Sequence, residues 1–229
     1  MATTTSKKHL SKRELKEDKL MSFLGDAYEF LNARRSAVLF SAVGLVALVL
    51  VVGLYKNSAK AGESRSEEIL YLALTDYEAG RYREASNGLT QFVDRFPRHK
   101  RIGVAQTTLG NVHLVLNELA DAKSRFEKGL SDSERGSATW VAAKSGLGAV
   151  AAAQGLMDEA AKNFEEAAAA STSKEAGAEA ISEAIRARIA AGQAPAAKTL
   201  LDKAKRDYEG TRAAQHFARL EGELNAIGG

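Results

Sequence analysis

The chain of 229 residues carries a formal charge of +3, only two prolines and no cysteine, which excludes a disulfide framework, a thiolate nucleophile and a cysteine-based zinc site. Its excess positive charge lies before residue 36, where eight Lys/Arg meet five Asp/Glu, whereas from Lys56 onward there are 24 of each. A balanced body argues against a phosphate-binding footprint, so no nucleic-acid partner is expected, and abundant alanine without strand-like alternation marks the chain as all-α.

Residues 1–35 are the predicted cytoplasmic segment. Within it, residues 11–14 (Ser-Lys-Arg-Glu) have capping-box form and open a stretch with Leu20, Phe23, Leu24, Ala27, Tyr28 and Leu31 at helical spacing. Two readings of this stretch stand: an amphipathic helix on the inner leaflet, or a helix that extends the membrane span behind it.

Residues 36–55 are the predicted transmembrane helix. The run 37–55 is 19 residues long with Ser41 as its one clearly polar member, and as a helix it would measure about 29 Å, close to the hydrocarbon thickness of a bilayer. Arg34 and Arg35 stand directly before it, a bias that favours a cytoplasmic N-terminus and an exported C-terminal region. Ala59-Lys60-Ala61 resembles a signal-peptidase site, but the apolar run is too long and too far along the chain for a cleaved signal. A retained single-pass anchor is the expectation, followed by a linker over 56–66.

From 67 to 229 the sequence repeats itself. Four copies share a turn residue, an alanine five positions on and a bulky apolar residue four further: Gly80/Ala85/Leu89, Asn117/Ala122/Phe126, Gly155/Ala160/Phe164 and Gly192/Ala197/Leu201, with the alanines 37, 38 and 37 residues apart. Such regularity predicts helix pairs stacked into a solenoid, in which each first helix runs to the turn and each second helix carries the alanine. Leu72-Ala73, Leu109-Gly110 and Leu147-Gly148 lie seven to eight positions before their turns, where small residues let helix axes approach. Phe217, Leu220 and Leu224 on one face of 211–226 predict a capping helix.

The pattern resembles the tetratricopeptide repeat, whose Leu-Gly, Ala and Phe positions recur as Leu109-Gly110, Ala122, Phe126 and as Leu147-Gly148, Ala160, Phe164. Departures are Ile69 at the tryptophan position, Ala184-Ile185 in place of Leu-Gly, and extra residues in the connections near 98–101, 131–137 and 171–175. With the anchor ahead of it, the whole layout resembles the bacterial YfgM-like family of membrane-anchored tetratricopeptide proteins, ancillary subunits of the SecYEG translocon. That resemblance implies an inner-membrane scaffold with periplasmic repeats, and translocon components, periplasmic chaperones or exported clients as partners. A scaffold for cell-wall or outer-membrane assembly is the alternative.

In the tetratricopeptide superhelix the first helices line a concave groove, and the motif carries its groove-facing positions onto Leu70, Leu74 and Tyr77, then Thr107, Asn111 and Leu114. The later copies supply Ser145, Ala149 and Ala152, and Ser182, Arg186 and Ile189. Only Arg186 among them is cationic, which disfavours a carboxylate clamp. Shifted by one position, Leu70, Leu74 and Leu114 read equally well as core.

No catalytic constellation, cofactor motif or metal set emerges. Residues 146–151 match G-x-G-x-x-A but sit in a predicted helix with no strand before them. His9, His99, His113 and His216 are far apart, with no carboxylate or second histidine at ligand spacing, and Trp140 is expected as a core or interface anchor. The expectation is a protein-binding scaffold with no enzymatic activity and no small-molecule substrate.

Overall fold

A computed structural model describes residues 63–228, together with 21–23, 25, 48, 50 and 51. The chain divides between residues 62 and 63 into two units. In the first, the few described residues are helical and exposed; the predicted 11–31 helix and the predicted span 36–55 otherwise lie outside the described residues. Among the described residues no helix is long and apolar enough to cross a membrane.

The second unit is a run of nine helices among its described residues, with no strand. They are α1 (63–78), α2 (Tyr82–Arg95), α3 (Ile102–Val115), α4 (Leu119–Ser131), α5 (Ala138–Ala153), α6 (Met157–Ala170), α7 (Lys174–Ala190), α8 (Ala194–Asp207) and α9 (Ala214–Gly228). Helix α1 begins inside the predicted 56–66 linker. Ser66 is buried and its hydroxyl donates to the Glu63 carbonyl at 2.7 Å, while Glu63 and Glu67 pair with Lys100 and Arg101. Those ion pairs tie the first helix to the connection between copies one and two.

The turn residue of each copy ends its first helix in the left-handed region, at φ 73° for Gly80, 61° for Asn117, 79° for Gly155 and 72° for Gly192. Every turn closes in the same way. The residue after the turn donates its N–H to a carbonyl five positions back: Arg81 to Asp76, Glu118 to His113, Leu156 to Ala151 and Gln193 to Arg188. This Schellman closure satisfies carbonyls orphaned at the helix end and requires a residue that tolerates positive φ. Four residues later the repeat alanine donates the first backbone bond of the second helix, from Ala85 to Arg81, Ala122 to Glu118, Ala160 to Leu156 and Ala197 to Gln193. Those four alanines are wholly buried, so any larger side chain there would push the two helices of a pair apart.

Paired residues on the facing helices match in size. A Cβ added to Gly110 would lie 2.7 Å from the Phe126 ring, and one added to Gly148 would lie 2.9 Å from Phe164. In the first copy Ala73 stands at the position of Gly110 and Gly148, and a Cβ added to Gly88 on α2 would lie 2.8 Å from it; in the fourth, Ile185 stands there in the same buried cluster as Leu201. Glycine against the phenylalanine rings, and glycine against alanine in the first copy, let the paired helices approach without leaving space between them. This also accounts for the glycines of 146–151: they lie within α5 and face the rings of Phe126 and Phe164.

The stack is asymmetric across its width. First helices of successive copies pack directly, α3 on α5 and α5 on α7, and each second helix packs on the first helix of the next copy, α2 on α3, α4 on α5 and α6 on α7, whereas among the described residues no second helix packs on another second helix. At the C-terminal end α9 packs on both α7 and α8 and buries Phe217, Leu220 and Leu224. It therefore occupies the place of a further first helix, as the sequence predicted for 211–226.

Candidate functional site

The first helices define the inner edge of the solenoid, and an opening along it lies toward the C-terminal end. A cavity of about 460 Å³ is lined by Ala138, Val141, Ala142 and Ser145 of α5, by residues of α7 from Ala176 to Glu183, and by His216 of α9. Ser137 starts α5 by accepting the Trp140 N–H on its hydroxyl, and Ser173 starts α7 by accepting that of Ala176. Both caps set where the two cavity-lining helices begin. Trp140, on the other side of α5, is buried with the Arg135 guanidinium 5.4 Å above its ring, a cation–π contact that ties the preceding connection to the helix start.

The cavity's chemistry is simple. Alanines and Val141 form its floor, so little side-chain bulk stands between a bound chain and the helix backbones. The polar groups are Ser145, Ser182, Glu179, Glu183 and His216. Ser182 is buried and donates its hydroxyl to the Ala178 carbonyl at 2.8 Å, which leaves the oxygen lone pairs as its remaining capacity. Glu183 is held by Arg186 at 2.6 Å, so Glu179 is the acidic group at this mouth with no ion pair among the described residues.

The twelve residues the motif assigned to a groove divide four ways. Ser145 and Ser182, the first position of copies three and four, come together in the cavity. Leu70 and Thr107, the same position in copies one and two, are buried, and Leu70 belongs to the first core cluster. Leu74 and Tyr77 pack against that cluster, Leu114 against the middle one, and Ala149, Ala152 and Ile189 against the C-terminal one. Tyr77 meets Tyr82 edge to face at 6.0 Å, and burial pushes its hydroxyl above the usual tyrosine range. Asn111 and Arg186 are half-buried, the latter engaged with Glu183.

The open surface thus sits one to two turns nearer the helix N-termini than the motif placed it. Continuing the stripe backward from Ser145 by four and seven residues reaches Val141 and Ala138, a signal present in the sequence. His216 had no such signal, because its place depends on where α9 lands.

Two histidines meet carboxylates that do not stand at ligand spacing along one helix. The turn at Asn117 folds Glu118 back so that its carboxylate lies 2.5 Å from His113 Nδ1, with Asp121 beside them. His99 Nε2 lies 3.5 Å from Glu67, and its ring packs edge-on against Phe92 at 5.1 Å. Both contacts cross a turn or connect two copies, which spacing along one helix could not reveal.

No family model matches the chain, and no curated protein matches it in sequence. Solved structures do match in shape. The crystal structure of MamA aligns with a TM-score of 0.53 and 21% identity over 66% of this chain and 76% of that one. The fold is that of a tetratricopeptide-repeat solenoid. A Podosopora anserina protein of nearly identical TPR-like repeats aligns at 0.53 and 19%, covering 72% of this chain and 95% of that one. A thermophilic TPR protein of Thermus thermophilus aligns at 0.53 and 18%, covering 68% and 80%. At these identities the likeness is one of architecture.

Proposed function

We propose that the chain is a non-enzymatic scaffold, anchored in the bacterial inner membrane by residues 37–55, whose repeats bind protein segments on the periplasmic side. The observation that carries the binding reading is the α5–α7–α9 cavity, with its floor of small residues and sparse polar groups. Such a surface takes an extended or helical segment chiefly by van der Waals contact and discriminates weakly among sequences. Together with the anchor and the short basic segment before it, this supports a place at the Sec translocon, where exported chains emerge with diverse sequences. Periplasmic chaperones share that client pool.

A photo-crosslinking residue at Ser145 or His216 tests the reading in cells. Expected adducts are translocon subunits, periplasmic chaperones or exported chains; adducts confined to cell-wall or outer-membrane assembly proteins would overturn the translocon assignment. Topology has its own test in this cysteine-free chain. Lys123→Cys, at an exposed position on α4, is expected to react with a membrane-impermeant thiol reagent in intact spheroplasts, and labelling only after lysis would place the repeats inside.

A further inference from the structure

Helix α1 carries an exposed stripe that its counterparts in later copies bury. At the stripe's centre Tyr71 is 68% exposed and Leu72 55%, flanked by exposed Arg65 and Glu68 on one side and Thr75 and Glu78 on the other. The equivalent central residues of α3 are Ala105, Thr108, Leu109 and Val112, all buried. The stripe is therefore the surface by which a first helix stacks in this solenoid, left open at the first copy. A face meant only for water would be polar at its centre; here two large apolar side chains are ringed by polar ones, the arrangement of a protein interface.

The spacing of the stripe identifies what fits it. Counted from the midpoint between Tyr71 and Leu72, its positions are symmetric: residue 65 mirrors 78, and 68 mirrors 75. Two copies of α1 crossing antiparallel at that midpoint would set Tyr71 of one against Leu72 of the other, Arg65 against Glu78, and Glu68 against the uncharged Thr75. Arg65 and Glu78 are both exposed, and neither forms an ion pair with another described residue. A parallel, in-register pair would instead oppose Arg65 to itself and each glutamate to itself, at a cost in like-charge repulsion. We infer that this face is a two-fold interface between copies of the chain, formed by antiparallel α1 helices centred on Tyr71 and Leu72. It lies at the opposite end of the repeat unit from the α9 cavity and stands independently of the function proposed above.

The absence of cysteine permits a register test on the full-length protein. Glu68→Cys and Thr75→Cys variants, tagged differently and co-expressed, are expected to form a disulfide-linked heterodimer on mild oxidation, while each alone gives at most a minor product. Arg65→Glu, or Glu78→Arg, is expected to lower that yield about fivefold and the two together to restore it, because the pair is then reversed on both sides. Self-linking of either variant as efficient as the mixture, no linking at all, or indifference to the charge swaps would each overturn the interface. All these positions are exposed, and circular dichroism of each variant confirms that the helices persist.

Discussion

The two ends of the solenoid solve the same problem differently. At the C-terminal end an additional helix, α9, covers the last pair, burying Phe217, Leu220 and Leu224 and turning Gln215, Arg219 and Asn225 outward. At the N-terminal end α1 is itself the last described layer, and it turns Tyr71 and Leu72 outward. Stacking alone does not dictate an end; the outward residues decide whether a layer terminates the stack or continues it. The last pair is covered by a further helix, whereas the first described layer leaves its stacking face exposed.

Mutations that strip the finished end have the largest expected effect. Phe217→Ala removes the wholly packed ring that seats α9 and is expected to cost about 3 to 5 kcal/mol, read by thermal or denaturant unfolding, with the α9 wall of the cavity loosened. A much smaller loss would mean that α9 is an appendage rather than a closing layer. In the middle of the stack, Ala122→Leu forces bulk between α3 and α4 where no space exists and is expected to cost on the order of 1 to 3 kcal/mol. Gly155→Ala, at φ 79° with open space around it, isolates backbone strain and is expected to cost about 1 kcal/mol.

At the other end the sign of the comparison reverses. Tyr71→Ser and Leu72→Ser touch little within one molecule and are expected to shift its unfolding by less than about 0.5 kcal/mol, although they sit in the same stacking stripe as the buried Thr108 and Leu109. A loss comparable to Phe217→Ala would show that both ends are covered alike. Smallest is a pH effect confined to the α1 tether. Burial pushes the Glu67 carboxyl up, but hydrogen bonds from Arg101 and Lys100 outweigh it and hold the group below the ordinary carboxylate value. A carboxyl depressed in the folded state stabilises fully above its unfolded value, and that contribution is lost as pH falls through the lower folded one. The Glu67 side-chain titration followed by NMR is thus expected below the usual glutamate range, and Arg101→Ala moves it upward.

Much of this architecture was readable because the repeat imposes it locally. The turn residue must adopt positive φ and the alanine must sit between two axes, so Gly80, Asn117, Gly155 and Gly192 and their alanines announce each helix pair without knowledge of its neighbours. What depends on neighbours was harder to read. Leu72 occupies the same motif position as Leu109, yet one is exposed and the other buried, because α3 has a described pair before it to pack against. Likewise Leu70 and Ser145 share one motif position, and the first lies in the core while the second opens into the cavity. His216 joins that cavity from an element whose landing place no repeat specifies.

The way successive layers touch has a mechanical meaning. Each of α5, α7 and α9 packs on both helices of the pair before it, so a layer is held along two lines rather than hinged on one. Layers clamped in that way resist bending against one another, and the wall that α5, α7 and α9 present to the cavity is a preformed bed rather than one that a bound segment must assemble.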